Sequence, residues 1–247
     1  MSSISAIIIT YNEEKNIEAC LSSVKWTDEI IVVDSNSTDN TVNLAKKFTE
    51  KVITAENISY GLKKNIGIEN ASSEWILWLD ADERITPELE EEIKKVTNLN
   101  DHAAYYINRK SFFINKFIKH CGWYPDYTLR LFKSSIGLIF NTAGVHEKLD
   151  YIGKTWKLKN AMLHYTDMDY EHYIDKLNNY TTLSAQELKK RNRSRGLLDI
   201  IFRPVFTFLK MYFFRLGILD GYSGLILCVL SSYHTAFKYV KYNSLNK

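Results

Sequence analysis

Glu74-Trp-Ile-Leu-Trp-Leu-Asp80-Ala-Asp82-Glu-Arg84 decides how the rest of this 247-residue sequence is read. Trp75 to Leu79 is an unbroken apolar run, the pattern of a strand buried on both faces. Two aspartates separated by one small residue follow at once, so the strand delivers carboxylates to the lip of a sheet. Carboxylates that close raise one another's pKa unless a cation sits between them. Mg2+ is typically held by one or two carboxylates plus substrate phosphates. The stretch is therefore a candidate metal-diphosphate site. It also reads as an acidic helix start, with Asp82 or Thr86 capping a helix that begins near Pro87 and the acids favouring its dipole. Taken alone, it leaves both readings open.

Upstream, apolar runs alternate with helical patterns. Ser5 to Ile9 reads as a first strand, Glu29 to Asp34 as a second and Lys51 to Thr54 as a third. Between them, Ile17, Cys20, Leu21 and Val24 share one helical face, a helix is expected from about Asn40 to Phe48, and another from about Ser59 to Asn70. Strands that are apolar throughout and alternate with helices predict a parallel sheet covered on both sides. In such sheets ligands sit beyond the carboxyl ends of the strands. Thr10 to Glu13, Asp34 to Asp39 and Asp80 to Asp82 all fall at those ends, so they are expected to converge. No glycine precedes Gly61. That excludes a G-x-G-x-x-G fingerprint or a P-loop after the first strand, both of which need glycine where backbone approaches phosphate. Without an amide cradle, a diphosphate needs a metal, and Asp80 and Asp82 are placed to supply it.

These motifs carry a resemblance. Thr10-Tyr-Asn-Glu13, Val33-Asp34-Ser-x-Ser-Thr-Asp39, Lys63-Lys-Asn65-x-Gly67 and Leu79-Asp80-Ala-Asp82, in that order, resemble the nucleotide-sugar-binding half of family 2 glycosyltransferases. The resemblance covers about the first hundred residues. It implies the A-type glycosyltransferase fold: α/β, with a mixed, mainly parallel central sheet. Tyr127-x-Leu-Arg130-Leu-Phe-Lys133, Val145-His-Glu147 and Leu163-His164-Tyr165 more loosely resemble the β-1,4-glucosyltransferase branch that builds lipopolysaccharide core. The roles so implied place Thr10, Tyr11, Asn12 and Glu13 at the nucleoside pocket and Asp34 on uracil or ribose. Lys63 and Asn65 approach the base or sugar phosphate. Asp80 touches ribose or sugar hydroxyls, with Ala81 beside it at the donor; Asp82 is the main ligand, with Asp80, for Mg2+ or Mn2+, and Arg130 meets the diphosphate, where a bidentate contact is useful. Asp39 also reads as a helix cap, Lys63 as a solvated helix residue and Glu13 as a residue favouring a helix N-terminus.

The middle, from Ala103 to Leu163, reads as an irregular β region with strand-like Tyr105–Asn108, Thr128–Phe132 and Lys157–Leu163. The resemblance makes it the acceptor half, which in an inverting transfer supplies a carboxylate as general base. Glu147 and Asp126 are the candidates, with Glu147 preferred. His164, ahead of His146, is the candidate third metal ligand, since imidazole serves Mn2+-type ions; each histidine also reads as hydrogen-bonded packing. The aromatics Phe112, Phe113 and Phe117 and the stretch Trp123-Tyr124-Pro125 could stack on sugar rings, but such aromatics are more often core.

The last third reads as helical, starting with Tyr170 to about Lys190. A basic linker, Arg191 to Gly196, follows, and then segments in which aromatics interleave with Lys and Arg. From Lys189 to Arg215 stand eight basic residues (Lys189, Lys190, Arg191, Arg193, Arg195, Arg203, Lys210, Arg215) against one acid, Asp199. That composition suits helices lying in an anionic membrane interface; a soluble helical hairpin or a dimer is the competing reading. Nucleic acid is not expected, because no recognition motif accompanies the cluster. The domain reading is thus 1–100 for the donor half, 101–168 for the acceptor half and 169–247 for a helical, membrane-associating appendage. Cys20, Cys121 and Cys228 are scattered and odd in number, which suits a reducing cytosol, and no signal peptide is visible.

The function expected is transfer of a hexose, glucose by the branch resemblance, from a UDP-sugar to a saccharide or lipid-linked acceptor at the inner face of the cell membrane. Protein glycosylation from the same donor site, an inactive membrane-peripheral adaptor and nucleotidyl transfer are the competing readings. The last lacks the glycine- and lysine-rich loop it needs after the first strand.

Overall fold

The structure, a computed structural model, describes residues 2–56, 60–99, 101–136, 139–140, 149–150, 154–167, 169–190 and 197–245. β1 (Ile4–Thr10), β2 (Glu29–Asp34), β3 (Val52–Thr54) and β4 (Trp75–Asp80) run parallel in the order β3-β2-β1-β4. α1 (Ile17–Ser22), α2 (Thr41–Ala45) and α3 (Tyr60–Glu69) connect them. Side chains alternate across each strand, and both faces are covered. Ile4, Ala6, Ile8, Val32, Leu77 and Leu79 pack with Ile17, Leu21 and Ala45 on one side. Ile7, Ile9, Ile31, Val33, Ile76 and Trp78 pack with Ile66 and Ile68 of α3 on the other. Each such burial contributes about 1.5–3 kcal/mol, which is why these strands carry no polar alternation.

Gly67 lets α3 lie close to the sheet: a Cβ there would stand 2.4 Å from Ile7 Cγ2 and 3.4 Å from Val33 Cγ2. At the opposite end of β2 from Asp34, Glu29 accepts hydrogen bonds from Ser5, from Lys51 and from both the backbone and hydroxyl of Ser72. Burial pushes its carboxyl up, but these donors overcome it and hold the pKa down at about 2.

Beyond β4 come β5 (Glu83–Arg84), α4 (Pro87–Leu99), β6 (Ala104–Phe113), β7 (Lys116–Phe117), β8 (Tyr127–Lys133), β9 (Ile139–Phe140), β10 (Leu149–Asp150) and β11 (Thr155–Asp167). The sheet continues β4-β8-β6-β11-β5, with β7 on β6, while β9 and β10 form a separate antiparallel pair. β8 is antiparallel to β4 and to β6, so the sheet is mixed as expected. Strands form where the sequence pattern placed them in the middle region, but β6 and β11 extend to 10 and 13 residues. Leu89 and Ile93 turn the buried face of α4 toward the β1–β4 core. Thr86 caps this helix through its hydroxyl, which accepts from Leu89 N–H at 3.3 Å, and Pro87 opens it. Capping is thus carried out by Thr86, and Asp82 takes no part in it.

The chain divides into two units, Met1–Arg109 with Asp126–His164, and Lys110–Pro125 with Tyr165–Lys247. The second unit is therefore not one continuous stretch. It holds α5 (Tyr170–Lys190), α6 (Leu197–Leu209), a π-turn (Lys210–Phe214), a 3-10 turn (Gly217–Asp220) and α7 (Gly221–Ser244). Phe113, Ile118, Cys121, Leu227 and Cys228 form its core, so the expectation that Phe113 is packing rather than a sugar platform holds. Gly217 is needed there, because a Cβ would stand 2.8 Å from Cys121 Sγ and from the Met211 carbonyl. Asp220, buried at the start of α7, accepts from the backbone N–H of Lys119 and His120 and lies 3.0 Å from His120 Nδ1. All three cysteines are buried and unbridged.

Candidate functional site

The sheet register brings the candidate residues to one edge. Thr10 lies beside Asp34, and Ile9 beside Asp80, at the carboxyl ends of β1, β2 and β4. Asp34 is buried; its two carboxylate oxygens accept from Ser37 N–H at 2.8 Å and Ser37 hydroxyl at 2.6 Å. Those bonds shape the loop after β2. Asn12, at φ +52°, ties the same loop down, donating its N–H to Ser37 Oγ and accepting from Thr38 N–H. Tyr11 is exposed, while Thr10 is buried with its hydroxyl lacking a partner among the described residues. Glu13 stands just ahead of α1: its carbonyl accepts from Asn16 and Ile17 N–H and its carboxylate from the Asn16 side chain. The helix-start reading of Glu13 accounts for these contacts. Asp39 behaves similarly at α2, accepting from Thr41 N–H at 3.0 Å.

Lys63 is not merely solvated. Its ammonium donates to Ser35 Oγ at 2.7 Å, and partial burial lowers its pKa while Asp34 opposes the shift. Asn65 is half-buried two residues further along α3. Thr10, Asp34 and Lys63 therefore stand together at the carboxyl end of β2.

At the end of β4 the chain makes a charged cluster that the sequence reading only half foresaw. Asp80 Oδ2 accepts from Arg130 Nη2 at 2.7 Å, and the same nitrogen donates to Glu83 Oε1 at 2.6 Å. Asp80 N–H donates to Glu83 Oε2 at 3.0 Å. Arg109 Nη1 lies 3.6 Å from Glu83 Oε1, and Arg109 also donates twice to Asp126 Oδ2, at 2.8 and 2.5 Å. A chain of alternating charge thus runs Asp80-Arg130-Glu83-Arg109-Asp126. Glu83 at its centre is fully buried. Burial pushes its carboxyl up from the usual range, and Arg130 pulls it back. Arg130 is itself buried and stacked on Trp78 at 3.8 Å, and its two carboxylates keep it charged against the cost of burial.

Arg130, which the resemblance puts on the diphosphate, is buried here and its guanidinium is engaged by Asp80 and Glu83, as a buried cation takes the nearest carboxylates. Ala81 is buried, and its carbonyl accepts from Arg84. Asp82 and His164 meet through Oδ2 and Nε2 at 3.4 Å, because β5 pairs with β11 and sets Glu83 opposite His164. Among the described residues no three His, Cys, Asp or Glu side chains gather as a ready metal-ligand set. Asp82 and His164 nonetheless suit one ion as adjacent donors: two bonds of about 2.1 Å at right angles place their ends roughly 3.0 Å apart.

Asp126 presents a carboxylate that is 38% exposed, oriented by Arg109 and by its own backbone N–H on Asn108 Oδ1. Glu147 and His146 lie outside the described residues. Glu83 and Arg109 are the members the sequence reading missed. An open cavity of about 310 Å³ lined by Tyr106, Thr155, Trp156 and Lys157 includes none of the cluster.

Comparison with known proteins identifies the family. An uncharacterized glycosyltransferase of Rickettsia felis is 30% identical over 240 residues, 92% of this chain and 84% of its own. The lipopolysaccharide core biosynthesis glycosyltransferase LpsC of Rhizobium meliloti is 28% identical over 236 residues, 90% of this chain and 85% of its own. The crystal structure of S. aureus TarS 1-349 covers 97% of this chain and 91% of its own, with a TM-score of 0.50 and 15% identity, a likeness of fold alone. The model of the family "Glycosyl transferase family 2" matches residues 5–148, the span that holds β1 to β4 and the whole charged cluster through Asp126 and Arg130, and the chain belongs to that family, an enzyme of the A-type glycosyltransferase fold.

Proposed function

We propose that this glycosyltransferase moves a hexose, glucose by preference, from a UDP-sugar to a saccharide acceptor carried on a lipid, with inversion at C1. The observation that carries the reading is the convergence of Thr10, Asp34, Lys63 and Asp80 at one edge of the sheet, with Asp82 immediately beyond. Asp34 accepts a hydrogen bond from uracil or ribose; its oxygens each retain a lone pair beyond those taken by Ser37. Lys63 lies beside it to face the sugar phosphate. Asp82 and His164 would hold Mg2+ or Mn2+, with Asp80 adjacent. Bound there, the ion offsets charge developing on the departing diphosphate.

Asp126 takes the proton. The acceptor hydroxyl oxygen bonds to C1, the bond from C1 to the β-phosphate oxygen breaks, UDP departs with the electron pair, and the hydroxyl proton passes to the carboxylate. Arg109 fixes where that carboxylate stands. The LpsC relative's name, lipopolysaccharide core biosynthesis glycosyltransferase, supports a lipid-linked acceptor for this chain. By this proposal such an acceptor, and the enzyme with it, stands at the cytoplasmic face of an anionic membrane.

The test is hydrolysis of UDP-glucose with Mn2+, using water as acceptor. Wild type is expected to release glucose in a metal-dependent way, and Asp82→Ala to abolish it. Asp126→Asn is expected to lower kcat about 10²–10⁴-fold with UDP affinity unchanged. Full activity in Asp126→Asn together with loss in Glu147→Gln would transfer the base to Glu147. Absence of turnover with any UDP- or GDP-sugar and either metal sinks the reading.

A further inference from the structure

α6 is apolar on two sides, and the second unit uses only one of them. On the inner side Pro204 is buried, its carbonyl accepts from Ser232 Oγ at 2.9 Å, and Thr207 Oγ1 lies 3.4 Å from Thr235 Oγ1 of α7. Further along that side, Phe208, Met211 and Tyr212 pack on the core around Phe113 and Cys228. The outer side carries Phe202, Phe206, Leu209 and Phe213, spaced four, three and four residues apart so that they share one face. Phe206 is 63% exposed and Phe214, where the π-turn ends, 82%. Leu216, at φ +54°, then reverses the chain into the 3-10 turn, where Leu219 is again exposed. A helix that is apolar all round is stable in water only when something covers its second side, and a continuous patch of large exposed apolar residues marks an interaction surface.

Charge selects the occupant. Residues 197–245 hold five basic side chains (Arg203, Lys210, Arg215, Lys238, Lys241) against two acids, Asp199 and Asp220. Asp199 is paired with Arg203, and Asp220 is buried on backbone amides. The rim of the patch, including exposed Lys210 and Arg215, therefore presents positive charge without an outward acid. A symmetric dimer would set this rim against itself, whereas anionic headgroups complement it. The segment is also not one straight apolar rod. No single described helix is long and apolar enough, and the stretch Asp199–Phe214 meets Gly217–Ser244 at a bend of 72°. A bent, aromatic-tipped helix with basic flanks is the form that lies in the interface plane.

We propose that the outer face of α6 and the turn after it, led by Phe202, Phe206, Phe213 and Phe214, seats in the headgroup boundary of an anionic membrane without crossing it. This rests on the reading of a lipid-linked acceptor only for its purpose, and its test fails separately from the donor chemistry. The full chain is mixed with vesicles of phosphatidylglycerol and phosphatidylcholine, or of phosphatidylcholine alone, and floated on a gradient. Wild type is expected to float with the anionic vesicles at low salt and to lose about tenfold in partition at high salt or on neutral vesicles. Phe206→Glu/Phe214→Glu is expected to lose at least about tenfold on anionic vesicles. Both side chains face solvent, so this variant keeps its circular dichroism and its calorimetric binding of UDP with Mn2+. Three results would each overturn the proposal: wild type left at the bottom of the gradient, unchanged flotation of the variant, or a wild-type dimer by light scattering that the variant converts to monomer.

Discussion

Replacing Glu83 by glutamine should both destabilise the first unit and weaken its donor site, and the magnitude follows from what surrounds the side chain. Arg130 Nη2 lies at 2.6 Å, Asp80 N–H at 3.0 Å and Arg109 Nη1 at 3.6 Å. All three are donors. A protonated Glu83 would have to aim its O–H at one of them, so the geometry calls for an ionised carboxylate despite the upward push of burial. Glutamine keeps the shape but removes the charge, and its NH2 must face a donor. Breaking a buried ion pair by removing one partner costs about 3–5 kcal/mol. Here each arginine keeps a second carboxylate, Asp80 for Arg130 and Asp126 for Arg109. The expected loss is therefore at the low end, about 3 kcal/mol. At about 2–4 °C per kcal/mol for a chain of this size, Tm falls by roughly 6–12 °C.

Glu83→Gln should also weaken UDP binding in the presence of Mn2+. Arg130, left with Asp80 alone, draws that carboxylate inward, and changes at residues that orient metal-site ligands typically cost about 10–100-fold in affinity. Calorimetry for Tm and titration calorimetry for UDP with Mn2+ read the two effects. Asp82→Asn is the control, since Asp82 stands outside the alternating chain: it should lose UDP affinity with little change in Tm. A Glu83→Gln protein that melts within about 2 °C of wild type and binds UDP normally would refute the idea that this buried acid holds the cluster together.

Glu29 ties down the far edge of the sheet, with a folded pKa of about 2 against an ordinary 4.5. A depressed carboxyl stabilises above its unfolded pKa, and the contribution is lost as pH falls from 4.5 toward 2; Glu29→Gln should flatten stability across that window in urea melts, and an unchanged pH profile would count against the Lys51 and Ser72 contacts. Gly67→Ala puts a Cβ 2.4 Å from Ile7 Cγ2, within a side chain that is itself buried. It should cost about 1–3 kcal/mol and, by displacing the helix that carries Lys63, raise the Kd for UDP; a neutral effect on both would mean α3 is free to lift.

The parallel half of the sheet was legible because its strands answer to a local rule. A strand buried on both faces must be apolar throughout, so β1, β2 and β4 stand out as runs, and ligand residues must follow at their ends. Glu83 was not legible by that rule. It lies in an acidic stretch ahead of a helix, where Thr86 and Pro87 already explain the local chemistry. Its burial comes from β5 pairing with β11 some 80 residues later, and its partners are 26 and 47 residues along the chain, at Arg109 and Arg130. No periodicity in the stretch itself encodes that.

A usable signal did exist, in the partners rather than in Glu83. Arg109 follows Tyr105-Tyr-Ile-Asn108, and Arg130 sits inside Thr128-Leu-Arg-Leu-Phe132. A guanidinium that an apolar strand carries into a core cannot shed its proton there, so it must be matched by a carboxylate. Arg130 neighbours Leu131, which pairs with Leu77 three residues short of Asp80, so its partner had to come from the acids that end β4. There are three of them in four residues, Asp80, Asp82 and Glu83, and one arginine cannot engage all three. Division of labour follows: Arg130 takes Asp80 and Glu83, while Asp82 turns to His164. By that argument the proposed metal falls to Asp82 rather than to Asp80, whose Oδ2 Arg130 already holds. Asp80, joined to Glu83 both through Arg130 and through its own N–H, is the point at which a change in Glu83 would reach the proposed donor site.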